Sequence, residues 1–213
     1  MGRLEIVKGV AYAVIFVSLL VMFGWLFNIS LLKSINGLWP NMTFISASCF
    51  FFSGFVLYGI SKFVFGNRSD NNQIFIFFLT IILLLVLATY IISFELNSSG
   101  IEYFELDGSV FRDFGIPSVG SIYGFVIIIL ASLSVLFKRY KNMLMFCGLL
   151  LFLLGLIAIF GYLLGDPRPY YSFPSLNNHY LLGMAFRSSI LFILQGVAYI
   201  LLGMEVRKNE NNI

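Results

Sequence analysis

An all-α integral membrane protein is the fold class this sequence predicts. It would have six transmembrane helices set as three tandem hairpins, with both ends on the cytoplasmic side. Three observations predict it: a chain too poor in charge to cover itself with water-soluble surface, six long apolar runs, and a one-sided distribution of Lys and Arg.

Of the 213 residues, 60% are hydrophobic and 11% charged, and the mean hydropathy is +0.95. A soluble domain carries about 25% charge, so most of this exterior must face lipid. The net charge of +3 is small and scattered. No basic stripe suits nucleic acid.

The apolar runs read Gly9–Leu32, Met42–Ser61, Ile74–Phe94, Val119–Phe137, Met143–Gly165 and Leu181–Met204. Each is about 19–24 residues, the length a helix needs to cross a hydrocarbon core of ~30 Å. Backbone groups in lipid must pair within their own segment, so the runs should be helices. Short alternating segments, the mark of a membrane barrel, are missing. The first run is too long for a signal peptide and no small-residue cleavage site comes after it, so it should stay as an anchor.

With the N-terminus inside, the cytoplasmic segments hold Arg3, Lys8, Lys62, Arg68, Lys138, Arg139, Lys141, Arg207 and Lys208. The outer side holds Lys33, Arg112, Arg168 and Arg187. This is the positive-inside pattern, and it places the chain in the cell (cytoplasmic) membrane. The outer loop from Glu95 to Gly120 is acidic.

An internal repeat organises the runs. Phe23-Gly24-Trp25-Leu26 in the first returns as Phe160-Gly161-Tyr162-Leu163 in the fifth. Met42, Ser46, Phe50 and Gly54 in the second match Met184, Ser188, Phe192 and Gly196 in the sixth. A fainter middle copy has Thr89-Tyr90-Ile91 and then Ile116-Pro117-Ser118. One membrane domain over residues 1–213 would thus hold hairpins at about 7–65, 72–138 and 141–206, all in one orientation rather than inverted as in many transporters.

These residues carry a resemblance. Gly24 through Ile35, then Trp39 and Met42 through Gly54, resemble the start of a six-helix membrane sensor region. That region precedes PAS, histidine-kinase or diguanylate-cyclase modules in bacterial and archaeal signalling proteins. Ile101-Glu102-Tyr103-Phe104 is similar to its acidic stretch. Gly161 through Gly165 and Gly183-Met184-Ala185 are similar to its last hairpin. The resemblance runs from Gly9 to Gly203. The family's Thr-Ala pair is Ser46-Ala47 in the first copy and Ser188-Ser189 in the third, and Arg187 stands where Pro or His is expected. About nine residues remain after the sixth run, too few for an output domain of ~50 residues or more. The resemblance implies a sensor-like domain whose signal leaves through a partner such as a histidine kinase or cyclase, and no catalysis of its own.

Candidate site residues come from the polar groups inside the runs. If the sixth helix starts near Leu181, Arg187 lies about two turns below the interface, where a charge costs ~2.5 kcal/mol or more. It would then contact an anion or ligand, or pair with Asp166 or Glu95. If the helix starts later, Arg187 reaches the interface. Ser188 and Gln195, seven residues apart, share a helix face with Arg187 and Ser189 nearby, and Trp25 and Tyr162 sit near the outer interface; Arg187, Ser188, Gln195, Trp25 and Tyr162 are the candidate ligand-binding residues. Ser46, Ala47, Gly54, Ser189 and Gly196 are small residues suited to close helix packing. Cys49 and Cys147 fall at different depths and should not pair.

No catalytic constellation is visible. His179 is the sole histidine, so a two-histidine haem within one chain is excluded and a zinc site lacks its usual ligands; no cofactor or metal is expected. A rival reading is a small transporter or substrate-capture subunit, for which six helices in about 200 residues is also a fitting size. A third is a structural subunit of a larger membrane complex.

Overall fold

The computed structural model describes residues 2–33, 39–65, 70–98, 117–136, 140–166 and 183–211, with side chains over 2–33, 39–65, 72–88, 117–136, 142–166 and 183–206. The acidic loop, Glu95, Tyr90, His179 and Tyr180 lie outside the residues whose side chains are described. So do most of the hairpin loops.

Among the described residues the chain forms seven helices: α1 (Arg3–Leu26), α2 (Ser30–Lys33), α3 (Phe44–Phe65), α4 (Asp70–Ser98), α5 (Val119–Leu136), α6 (Tyr140–Leu164) and α7 (Phe186–Asn211). Five of them, α1, α3, α5, α6 and α7, are long and apolar enough to cross a membrane, and α4 is apolar over Asn72–Ala88. Large apolar side chains stand exposed on the outer helices: Phe16 on α1, Phe78 and Leu85 on α4, Phe146 and Ile157 on α6. Such a surface is stable against lipid and not against water. The chain is a helical, multi-pass membrane protein.

Two of the sequence-predicted boundaries shift. The first run ends at Leu26, not Leu32. Asn28 takes a left-handed conformation, φ +54°, and the chain closes a Schellman motif in which Ile29 N–H donates to Gly24 O (2.8 Å) and Asn28 N–H to Trp25 O (3.4 Å). Beyond this stop the chain forms the short α2, whose Leu32 packs on Gly24. The same motif ends α6. Gly165 has φ +67°, Asp166 N–H donates to Gly161 O (3.0 Å) and Gly165 N–H to Tyr162 O (3.4 Å). The repeated Gly-aromatic pair is therefore a repeated helix stop. The sixth run starts its helix at Phe186, not near Leu181, so Arg187 sits in the first turn.

The helices close into a ring in chain order. α1 packs on α3, α3 on α4, α4 on α5, α5 on α6, α6 on α7, and α7 on α1. α3 also touches α5 and α7 across the middle. Within their membrane-length windows α1 and α6 are 28% and 33% buried, against 61%, 56% and 56% for α3, α5 and α7. Helices α3, α5 and α7 are thus the inner bundle, with α1 and α6 on its outside.

The inner bundle is built on equivalent positions. From the N-terminal ends of α3, α5 and α7 onward, its layers are Ser46, Ser121 and Ser188; Phe50, Phe125 and Phe192; Ser53, Ile128 and Gln195; Leu57, Ser132 and Tyr199; Ile60, Val135 and Leu202. All are buried. Their spacing alternates four and three, the seam of a parallel three-helix coil. The middle copy is faint in sequence for a reason the packing gives. Gly54 and Gly196 let their outgoing helices approach: a Cβ on Gly54 would stand 3.2 Å from Ala11 O, and one on Gly196 2.7 Å from Gly148 O. The middle copy has Ile129 at that position, and its register mate of Met42 and Met184 is Pro117.

Candidate functional site

The N-terminal ends of α3, α5 and α7 meet around a small cavity. Its lining includes one pair of residues from each: Thr43 and Ser46 from the start of α3, Ser118 and Ser121 from α5, Ala185 and Ser188 from α7, with Asn41, Met42 and Gly183 completing the wall. It has room for roughly one water molecule. Thr43, Ser118 and Ala185 are the three N-caps, since their carbonyls accept from Ala47, Ile122 and Ser189 N–H (3.0, 3.0 and 3.1 Å). The cavity therefore sits on the positive ends of three helix dipoles.

Two of the three caps are complete. Thr43 Oγ1 accepts from Ser46 N–H (3.2 Å) and lies 2.9 Å from Ser46 Oγ. Ser118 Oγ accepts from Ser121 N–H (3.2 Å) and lies 2.9 Å from Ser121 Oγ. In α7 the cap residue is Ala185, which offers no oxygen. Ser188 is 1% exposed, and its hydroxyl has no partner among the described residues.

Above the cavity the hairpins are tied by their aromatic residues. Trp25 Nε1 donates to Met42 O (2.8 Å) and Tyr162 Oη to Met184 O (2.6 Å). These are the same two repeat positions, joining each outgoing helix to the residue before its partner's cap. Trp39 lies against Tyr162 and Phe186, ring centroids 5.0 Å from each.

Arg187 turns away from the cavity. Its guanidinium donates to the carbonyls of Leu32 and Leu31 (2.7 Å for the latter), at the negative end of α2, where a cation is favoured. α2 is otherwise held by Met42 N–H on Lys33 O (3.0 Å) and by Lys33, which donates to Asn28 Oδ1 (2.6 Å) and lies 4.4 Å over the Trp25 ring. Arg187 thus latches the third hairpin to the first.

Gln195 lies deeper, beneath the three phenylalanines. Its Nε2 donates to Ser53 Oγ (2.7 Å), which donates to Phe50 O (2.8 Å). Next to this layer Thr80 Oγ1 donates to Ser132 Oγ (3.0 Å). Gln195 Oε1 and Tyr199 Oη are fully buried without a partner among the described residues. An orphaned buried hydroxyl costs about 1–3 kcal/mol. Tyr199→Phe should therefore raise the melting temperature of the purified protein by roughly 2–4 °C per kcal/mol recovered. A lower melting temperature would show that the hydroxyl is bonded.

Of the five candidate ligand-binding residues, only Ser188 lines the cavity. Trp25 and Tyr162 bind backbone carbonyls beside it, Arg187 faces α2, and Gln195 is separated from it by the phenylalanine layer. Of the small residues, Ser46 lines the cavity and Gly54 seats α1. Gly196 and Ser189 seat α6, and Ala47 is buried in α3. Sequence reasoning missed Thr43, Ser118 and Ser121, although the Thr-x-x-Ser and Ser-x-x-Ser spacing before apolar runs was a readable cap signal. It also missed Gly148 and Gly155. Cys49 and Cys147 are buried free thiols.

Comparison with protein-family models, curated proteins and solved structures finds no match to this chain.

Proposed function

We propose that this chain is a membrane-embedded sensor-like domain that crosses the cytoplasmic membrane six times, both ends inside, and passes an outer cue to a partner through α7. The resemblance read from Gly24 through Gly54 and from the last hairpin supports the class. Arg3 at the start of α1 pairs with Glu205 near the end of α7 (3.1 Å). A contact that brings Arg3 and Glu205 to one end of the bundle supports an even number of crossings, and α4, apolar over Asn72–Ala88, is the candidate for the sixth. The Lys and Arg bias supports reading that end as the cytoplasmic one.

One observation carries the mechanism. α7 holds the incomplete cap and the Arg187 latch at its outer end and Glu205 at its inner end. A change at the first must move or strain a helix that ends at the second. Occupancy of the cavity shifts the bundle by its differential affinity for two arrangements of α7. The cavity has room for about one oxygen-sized group, which suits recognition rather than passage of a substrate.

The test uses nitroxide labels at Lys62→Cys and Met204→Cys, both near the inner end, with Cys49→Ala and Cys147→Ala. Releasing the latch by Arg187→Gln should displace the inter-label distance on the order of 1–2 Å, the size of helix shifts in switching bundles. Identical distance distributions in the latched and unlatched proteins would sink the mechanism.

A further inference from the structure

The three inner helices begin alike, and the third lacks one atom. In α3 and α5 the cap hydroxyl takes two contacts, one from the N–H and one with the Oγ of the serine three residues on. In α7 that serine is Ser188, and Ala185 leaves the oxygen's place unfilled. The cavity lies where the three caps converge, and its size is about that of one oxygen with its shell.

We infer that the cavity binds an anionic oxygen, the terminal oxygen of a carboxylate or phosphate group, which completes the α7 cap by accepting from Ser188 N–H and Ser188 Oγ–H. This rests on reading the cavity as the sensor's binding site and adds the ligand's chemistry. Two features select an acceptor over a donor: Ser188 presents two hydrogens, and each flanking hydroxyl pair uses one proton between its two oxygens and keeps the other to donate. Two more select negative charge. Three helix N-termini converge there, each equivalent to roughly half a positive charge, and none of the described lining residues is acidic. The small volume selects one protruding oxygen of a larger group, whose remainder sits at the mouth. A lipid headgroup and a soluble carboxylate or phosphate share this chemistry.

The experiment titrates the full chain in dodecyl maltoside, which brings neither carboxylate nor phosphate. The probes are sodium acetate, inorganic phosphate and dioleoyl phosphatidic acid in mixed micelles, with sodium chloride at matched ionic strength. The readouts are melting temperature and tryptophan emission, since Trp39 rests on Phe186 at the start of α7. At least one probe should raise the melting temperature and shift the emission saturably, where chloride does not. A response to acetate or phosphate assigns a soluble source; a response to phosphatidic acid alone assigns a headgroup. Ser188→Ala should weaken the response about tenfold, as expected for one lost hydrogen bond to a charged group. Ala185→Ser supplies the missing oxygen from within. It should raise the melting temperature of the anion-free protein and abolish the response to every probe. If no probe exceeds chloride, or if the Ala185→Ser protein responds like the parent, the inference is overturned and water alone fills the cavity. Saturable binding with no change in the inner-end label distance would instead keep the site and remove the sensor mechanism.

Discussion

Replacing Gly196 with valine is expected to destabilise the bundle more than any other single small-residue change along the α6–α7 seam. α6 and α7 run antiparallel along a seam of small residues, with Gly148 opposite Gly196 and Gly155 opposite Ser189. A Cβ on Gly196 would stand 2.6 Å from Phe152 N and 2.7 Å from Gly148 O. Both are backbone atoms of a continuous helix, so they cannot turn aside as a side chain would. The reciprocal positions are equally closed: a Cβ on Gly148 would lie 2.8 Å from Ile200 N, and one on Gly155 2.6 Å from Ser189 O. Valine adds two further methyl groups, and α6 has to move away along its length. In a bilayer, lipid is as apolar as the side chains it replaces, so association rests on close van der Waals contact rather than on exclusion of water. Separation forfeits that contact over the whole interface. A loss of about 3 kcal/mol or more is expected from overpacking at a backbone-to-backbone approach. The melting temperature in detergent should fall by roughly 6–12 °C at 2–4 °C per kcal/mol. Gly9→Ala is the control, because nothing lies within 4 Å of a Cβ there. It should be neutral or slightly stabilising. Equal melting temperatures for Gly196→Val and the parent would mean that the helices do not approach this closely.

The helical character of the runs was legible because lipid leaves the backbone no alternative, and five of the six runs form helices of membrane length among the described residues. Where each helix starts was less so. Leu181 to Ala185 is as apolar as the helix after it, and Ala185 gives no cap signal, so hydropathy extended the run ahead of the true start at Phe186. The first run overshot for a different reason. Phe27 to Leu32 is apolar, but Asn28 turns left-handed and folds α2 back on Gly24. The acceptors of Arg187, Trp25 and Tyr162 are backbone carbonyls. A carbonyl carries no residue identity, so side-chain partners such as Asp166 were sought in sequence. The repeat was readable in copies one and three, where glycine seats the outgoing helix. It faded in copy two, where Ile129 fills that place and Pro117 stands for Met. Ser121 and Phe125 still keep the register. The cavity is marked by a departure from the repeat, Ala185 in place of a hydroxyl, and that departure acquires meaning only once the three caps are seen to converge.

Phe192→Ala and Gly124→Val should each destabilise the bundle, and together they should destabilise it less than their sum. Phe50, Phe125 and Phe192 form one layer, with ring centroids 4.8 Å apart for Phe50 and Phe125, 4.6 Å for Phe50 and Phe192, and 5.4 Å for Phe125 and Phe192. All three are fully buried. The third ring lies over Gly124, where an added Cβ would run into its outer edge. Because two other rings hold it, Phe192 cannot swing aside, and valine at Gly124 forces α5 and α7 apart. Truncating Phe192 opens a void beneath the serine layer instead. In soluble cores Phe→Ala costs about 3–5 kcal/mol. Here the unfolded reference in lipid removes most of the transfer contribution, so about 2–4 kcal/mol remains from lost contact and cavity. In the double variant the valine methyls enter the space the ring vacated, so each change relieves the other. The coupling should be favourable by roughly 1–3 kcal/mol, within the range for residues in direct contact. Melting temperatures of the four proteins read it directly. Strict additivity would mean that Gly124 and Phe192 do not share this space, and the inner three-helix seam would then lack the layer that separates the outer cavity from Gln195.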